Sequence, residues 1–240
     1  MQRATRPLLI AGVIGVVLYV ATWAILGLTL DGYDPLRQAI SETFDLGAPA
    51  WSRRTLSTVL VITGVALMPF GFALDRALPG HGRAGAWLTA AAGLGTTVVA
   101  FFPCTDGCPG IGATFTDTMH VVWAGGGYLG LVLAPVAFGL RLRGTDAGRL
   151  ATAGLWLGGL ATVGFLLRNV GPEVLPGLQQ RVFNTAADLW LLLAAVEGLR
   201  RVRTAPGGPA APTGAAESGQ ADTDVGARNA NRSSTAAITP

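Results

Sequence analysis

The sequence contains no lysine; all 17 of its basic residues are arginine. Charged residues of either sign make up only 13% of the chain, about half of the roughly 25% that a soluble domain carries. A chain so poor in charge and 50% apolar is not a disordered protein. Its composition excludes a nucleic-acid reader as well, despite a pI near 9.4, since the net charge is only +3. The apolar stretches lack the alternating pattern of barrel strands. What is present is 34 glycines and a mean hydropathy of +0.48, the composition of an integral membrane protein.

Six apolar runs reach the roughly 20 residues that a spanning helix needs. They cover about 8–30, 55–74, 84–102, 118–140, 149–167 and 182–199. The fold class expected is all-α: a polytopic membrane bundle of six transmembrane helices over residues 1–203. The first run follows Arg3 and Arg6 but has no small-residue cleavage site after it, so it reads as a retained helix. From position 204 to 240 the chain turns to Ala, Pro, Gly, Ser and Thr with no apolar period. It reads as a disordered cytoplasmic tail.

With the N-terminus inside, the inner segments up to Arg203 hold ten arginines. The outer segments hold Arg37, Arg53, Arg54, Arg168 and Arg181. The positive-inside rule then places both termini in the cytoplasm of a plasma-membrane protein. In that frame Asp31, Asp34, Glu42, Asp45, Asp106, Asp117 and Glu173 all fall on the outer side, which makes that face the chemically interesting one. Pro69 and Pro135 lie inside the second and fourth runs and predict kinks there. Gly126 with Gly130, and Gly154 with Gly158, predict close helix packing.

Polar residues at the ends of spanning helices are costly and therefore informative. In the first outer loop, Asp34 and Pro35 suit the N-cap and first turn of a short interfacial helix over 35–44, which would present Ser41 and Glu42. The next outer loop holds both cysteines, Cys104 and Cys108, four apart on the oxidising side. A disulfide is the expectation there, with free thiols as the alternative. Two sulfurs alone do not make a zinc site, so neither a metal nor a cofactor is expected. Asp117 and His120, three apart, share one face at the start of the fourth run. Arg181, Asn184 and Asp188 form a polar stripe in the sixth, and Asp188 is deep enough to require a partner: His120, Arg168 or Arg181.

Several of these segments together resemble one family. They are Tyr33-Asp34-Pro35-Leu-Arg-Gln-Ala-Ile-Ser41-Glu42, the Phe102-Pro103-Cys-Thr-Asp106 loop, His120, and Gly177-Leu-Gln-Gln-Arg181. The chain resembles the domain-of-unknown-function 998 family of six-helix prokaryotic membrane proteins over about residues 8–199. The resemblance implies fold and location, and no activity. It also implies an acid before the last-helix arginine, where this chain has Gln180.

Three functions fit the outer-face residues. In the first, Ser41, Glu42, Asp106, Asp117 and His120 are catalytic in a lipid-modifying or lipid-hydrolysing enzyme, with Arg181, Asn184 and Asp188 binding substrate. In the second, the same residues line a small-solute or proton-coupled transport path. In the third they tie the helix ends together in a structural or accessory protein. The partners expected are membrane lipids and a lipid or small-molecule ligand at the outer face. Polar groups at that depth must find one another. The first outer loop is therefore expected to fold over the bundle, with Trp51 in its lid. Glu42 or Asp106 is then expected to share one cavity with His120 and Arg181.

Overall fold

The computed structural model describes residues 2–170 and 174–204. Glu173 and the tail, read above as disordered, lie outside the described residues. Among the described residues there are six α-helices: α1 (Gln2–Thr29), α2 (Ala50–Ala77), α3 (Ala84–Val99), α4 (Phe115–Leu142), α5 (Gly148–Val170) and α6 (Pro176–Thr204). One turn of 3-10 helix, Ile40–Thr43, sits in the loop between α1 and α2. Among the described residues there are no strands. Five of the helices are long and apolar enough to cross a membrane. The sixth, α3, is apolar but has 16 residues, about 24 Å at 1.5 Å per residue. The chain is an all-α, multi-pass integral membrane protein whose outer surface is solvated by lipid.

Consecutive helices pack side by side, and α6 touches α1, α2, α4 and α5. That central position needs small residues. Ala187, Ala194 and Ala195 are fully buried beside Trp190, which stacks on Phe138. The α3–α4 crossing depends on glycine, since a Cβ on Gly95 would lie 2.5 Å from the Gly127 Cα. Of the glycines singled out by spacing, Gly130, Gly154 and Gly158 pack against neighbouring backbone, whereas Gly126 faces open space. Its neighbour Gly127 makes the close approach instead. Both Pro69 and Pro135 lie within continuous helices.

The helices outrun the apolar runs because their polar ends have partners. The Thr114 hydroxyl accepts from the Asp117 N–H and starts α4 before its apolar residues begin. Conversely, α3 stops at Val99, and residues up to Phe102 tighten into a turn that leads to the cysteines. The predicted helix over 35–44 is replaced by a bend and the 3-10 turn. Ala39 is extended, at φ −69° and ψ 155°. The Gln38 carbonyl accepts from the Tyr33 hydroxyl and Arg181, while the Ala39 carbonyl accepts from the Tyr33 hydroxyl and from the Glu42 N–H of the 3-10 turn.

One end of the bundle collects the long loops, 30–49 and 100–114, where α1 and α3 finish and α2, α4 and α6 begin. At the other end Arg141 pairs with Asp75 and donates to the carbonyls of Leu78 and Pro79, at 3.0 Å each. That end is closed.

Candidate functional site

The loop between α1 and α2 folds over the bundle and is pinned there by α6. Arg181 donates to the carbonyls of Pro35 at 2.6 Å and Gln38 at 3.0 Å, and to the Tyr33 hydroxyl at 2.7 Å. Its guanidinium also lies over the Trp23 and Tyr33 rings. The Tyr33 hydroxyl in turn donates to the carbonyl of Ala39, 2.7 Å away. Burial raises the pKa of this phenol above its ordinary value, which keeps it a donor. Gln180 accepts from the Ile40 N–H at 2.7 Å and donates to the Tyr128 hydroxyl at 2.9 Å, linking loop, α4 and α6. The Glu42 carboxylate closes the 3-10 turn by accepting from the Ala39 N–H at 2.7 Å. Gly177 is required beneath the loop, because a Cβ there would meet the carbonyl oxygens of Gln38 and Pro35.

The cysteine loop is the second piece of the roof. Cys104 and Cys108 are joined in a disulfide. Asp117, fully buried, accepts from the Thr105 N–H at 2.7 Å and from the hydroxyls of Thr105 and Thr114. The two roof pieces are bonded together. The Leu46 N–H donates to the Cys104 carbonyl at 2.8 Å, and the Gly107 N–H to Asp45 at 3.0 Å. His120 hydrogen-bonds the Phe102 carbonyl through Nδ1 at 2.8 Å. A carbonyl can only accept, so Nδ1 carries the proton and Nε2 has the lone pair of the neutral ring.

Beneath this roof is a chamber of about 80 Å³, room for several waters or one small solute. Ile40, Ser41 and Phe44 of the loop form its ceiling, with His120, Tyr128 and Gln180 beside them. Asn184 and Asp188 of α6 line it lower down, opposite Tyr19 of α1. Both are buried, at 0% and 4% exposure. Neither polar atom of the Asn184 side chain, nor Oδ2 of Asp188, has a hydrogen-bond partner among the described residues. The partners expected for Asp188 are engaged elsewhere: Arg181 on the roof, His120 on Phe102. No ion pair to Arg168 is found among the described residues.

On the far side of the 3-10 turn lies a more open pocket of about 300 Å³. Four carboxylates line it, Asp31, Glu42, Asp45 and Asp106, together with Trp51. The turn is therefore a septum. With about three residues per turn, it directs Ile40, Ser41 and Phe44 into the chamber and Glu42 and Asp45 into the outer pocket.

The residues singled out from the sequence thus divide. Ser41, His120, Asn184 and Asp188 share the chamber, and Glu42 and Asp106 share the outer pocket. Asp117 is a buried acceptor that holds Thr105 of the cysteine loop, and Arg181 clamps the roof rather than lining either space. The expected single cavity becomes two because the turn lies between them. Gln180, read from sequence only as a departure from a family pattern, is a structural hub. Its spacing of four from Asn184, and of eight from Asp188, marks the same face of α6.

A family model described as "Protein of unknown function (DUF998)" matches residues 13–197. No curated protein and no solved structure matches the chain.

Proposed function

The chain belongs to the DUF998 family of proteins of unknown function, and from that premise we propose that its chamber admits a small cation or a proton. The protein is, in this reading, a small-solute or proton-coupled transport protein of the plasma membrane. The observation that carries it is the pair Asn184 and Asp188, buried in the chamber wall with polar atoms left unpartnered. An unsatisfied polar group at that depth costs several kcal/mol and is kept where a ligand satisfies it. A carboxylate beside an amide oxygen offers oxygen ligands to a hard cation, or a carboxyl that gains and loses a proton.

The outer pocket supports the sign of the charge. Four carboxylates at the approach would concentrate cations just beyond the septum. Positive-inside counting puts this end of the bundle outside the cell and both termini in the cytoplasm. Solute would gather at the acidic pocket, pass when the 3-10 turn swings aside, and meet Asp188 below. A purely structural role suits a fully paired cluster, and here the Asn184 amide and Asp188 Oδ2 have no hydrogen-bond partner among the described residues.

A second reading, a lipid-modifying enzyme, is favoured by Ser41 and His120 lining one chamber. It is weakened by the Nδ1 of His120 resting on a backbone carbonyl, with no carboxylate to orient the ring.

The test is charge displacement by the full-length protein in proteoliposomes on a solid-supported membrane, with small monovalent cations and pH jumps applied in turn. Transients that vanish in Asp188→Asn and persist in Ser41→Ala are the expected result. Traces equal to those of protein-free liposomes, or unchanged in Asp188→Asn, would defeat the reading.

A further inference from the structure

We propose that Cys104, Cys108 and His120 form a binding site for a soft or borderline d10 cation, zinc(II) or copper(I), whenever the disulfide between the two cysteines is open. The sequence argued against a metal because two sulfurs are too few. The fold supplies the third ligand from 12 residues past Cys108, on α4. One ligand atom from each of the three residues lies within 4.8 Å of the other two. A tetrahedral zinc with Zn–S bonds of about 2.3 Å holds its sulfurs about 3.8 Å apart. The Cα atoms of the cysteines are 5.0 Å apart, so opening the bond and turning the side chains reaches that spacing without rebuilding the loop.

The loop is also held independently of the disulfide. Thr105 is fastened to Asp117 by two hydrogen bonds, the Cys104 carbonyl to Leu46, and Gly107 to Asp45. The Cys108 N–H closes a turn onto the Thr105 carbonyl at 2.9 Å. Reduction therefore leaves two thiols standing beside an imidazole whose orientation is fixed by the Phe102 carbonyl, as a hydrogen bond to the other ring nitrogen fixes a metal-bound histidine. Cys104 and His120 are buried, and His120 also lines the chamber. Thiolates favour copper(I) and zinc, and two thiolates with one imidazole leave one coordination position open on zinc.

The chemistry balances simply. A small dithiol supplies two electrons and two protons by closing to its own disulfide, and Cys104 and Cys108 become thiols. The cation then displaces both thiol protons. The site uses neither Asn184 nor Asp188, so it stands apart from the transport reading. Asp188→Asn leaves metal uptake intact while removing charge displacement.

The experiment takes the full-length protein in detergent, reduces it with a phosphine, exchanges it into metal-free buffer and titrates it with cobalt(II). A parallel titration uses copper(I) held by a competing chelator. One ion per chain is expected in the reduced protein, with thiolate-to-metal charge-transfer absorption, and none in the oxidised protein. His120→Gln should weaken binding by about tenfold or more, and the Cys104→Ser, Cys108→Ser double variant should abolish it. Cobalt displaced by zinc assigns a divalent ion, whereas uptake of copper(I) alone assigns copper; either outcome supports the site. X-ray absorption at the metal edge of the unmutated protein reads the ligand set directly, and two sulfurs with one imidazole are expected. Uptake no greater after reduction, unchanged affinity in His120→Gln, or a ligand set without imidazole would overturn the proposal.

Discussion

Removing the Arg181 side chain should loosen the roof of the chamber without detaching it. Three of its hydrogen bonds reach the loop: the Pro35 carbonyl at 2.6 Å, the Gln38 carbonyl at 3.0 Å and the Tyr33 hydroxyl at 2.7 Å. At about 1 kcal/mol net for each, Arg181→Ala costs the closed loop about 3 kcal/mol. Since 1.4 kcal/mol is a factor of ten, the opening equilibrium should rise about a hundredfold. The bonds from Ile40 to Gln180, from Ser52 to Thr43 and from Leu46 to Cys104 remain, so closure stays the ground state. Thr43 is fully buried in the 3-10 turn and close in shape to cysteine, which makes Thr43→Cys a reporter of opening. Its rate of modification by a water-soluble maleimide, measured where closing outpaces labelling, follows the opening equilibrium. Arg181→Lys should fall between the two, because a point charge cannot reproduce the fork of the guanidinium. Labelling of the Arg181→Ala protein within about threefold of its parent would refute the assignment of Arg181 as the clamp.

Asp188→Leu should leave the thermal stability unchanged or raise it by about 1–3 kcal/mol, since it removes a buried polar group with an unpartnered oxygen. The same variant should abolish charge displacement, and a marked loss of stability would instead make Asp188 a structural residue. Reporters fused after Arg203 and inserted beside Cys104 should lie on opposite sides of the membrane. Finding both on one side would defeat the six-helix topology, because three helices, α4, α5 and α6, lie between the two positions.

The helical bundle was legible because a spanning helix leaves a stretch of apolar residues that nothing else requires. Its ends were not, since they depend on tertiary partners. Thr114 starts α4 by capping Asp117, and α3 gives up its last turn to lead Phe102 toward His120. The short helix expected after Asp34 failed for the same reason. Asp34 does accept from the Leu36 N–H at 2.9 Å, as a cap would, and one turn forms up to Gln38, but Arg181 claims the carbonyls of Pro35 and Gln38 and the extended Ala39 ends the turn. Cost in hydrocarbon was a sound guide to His120, Asn184 and Asp188, which do line one space. It could not separate Ser41 from Glu42, because adjacent residues of a 3-10 turn point to different sides of a wall that the sequence does not reveal. Gln180 was missed by weighing it as a substitution for an acid rather than as the next polar residue up one face of α6.

Whether Asn184 and Asp188 hold a ligand is tested most directly by a map of the full-length protein in lipid nanodiscs, at a resolution that shows ordered water. Density for water or a cation is expected within hydrogen-bonding or coordination distance of Asp188 Oδ2 and the Asn184 amide, beneath a closed 3-10 turn. A dry chamber in which Asp188 bonds directly to another side chain would contradict the account.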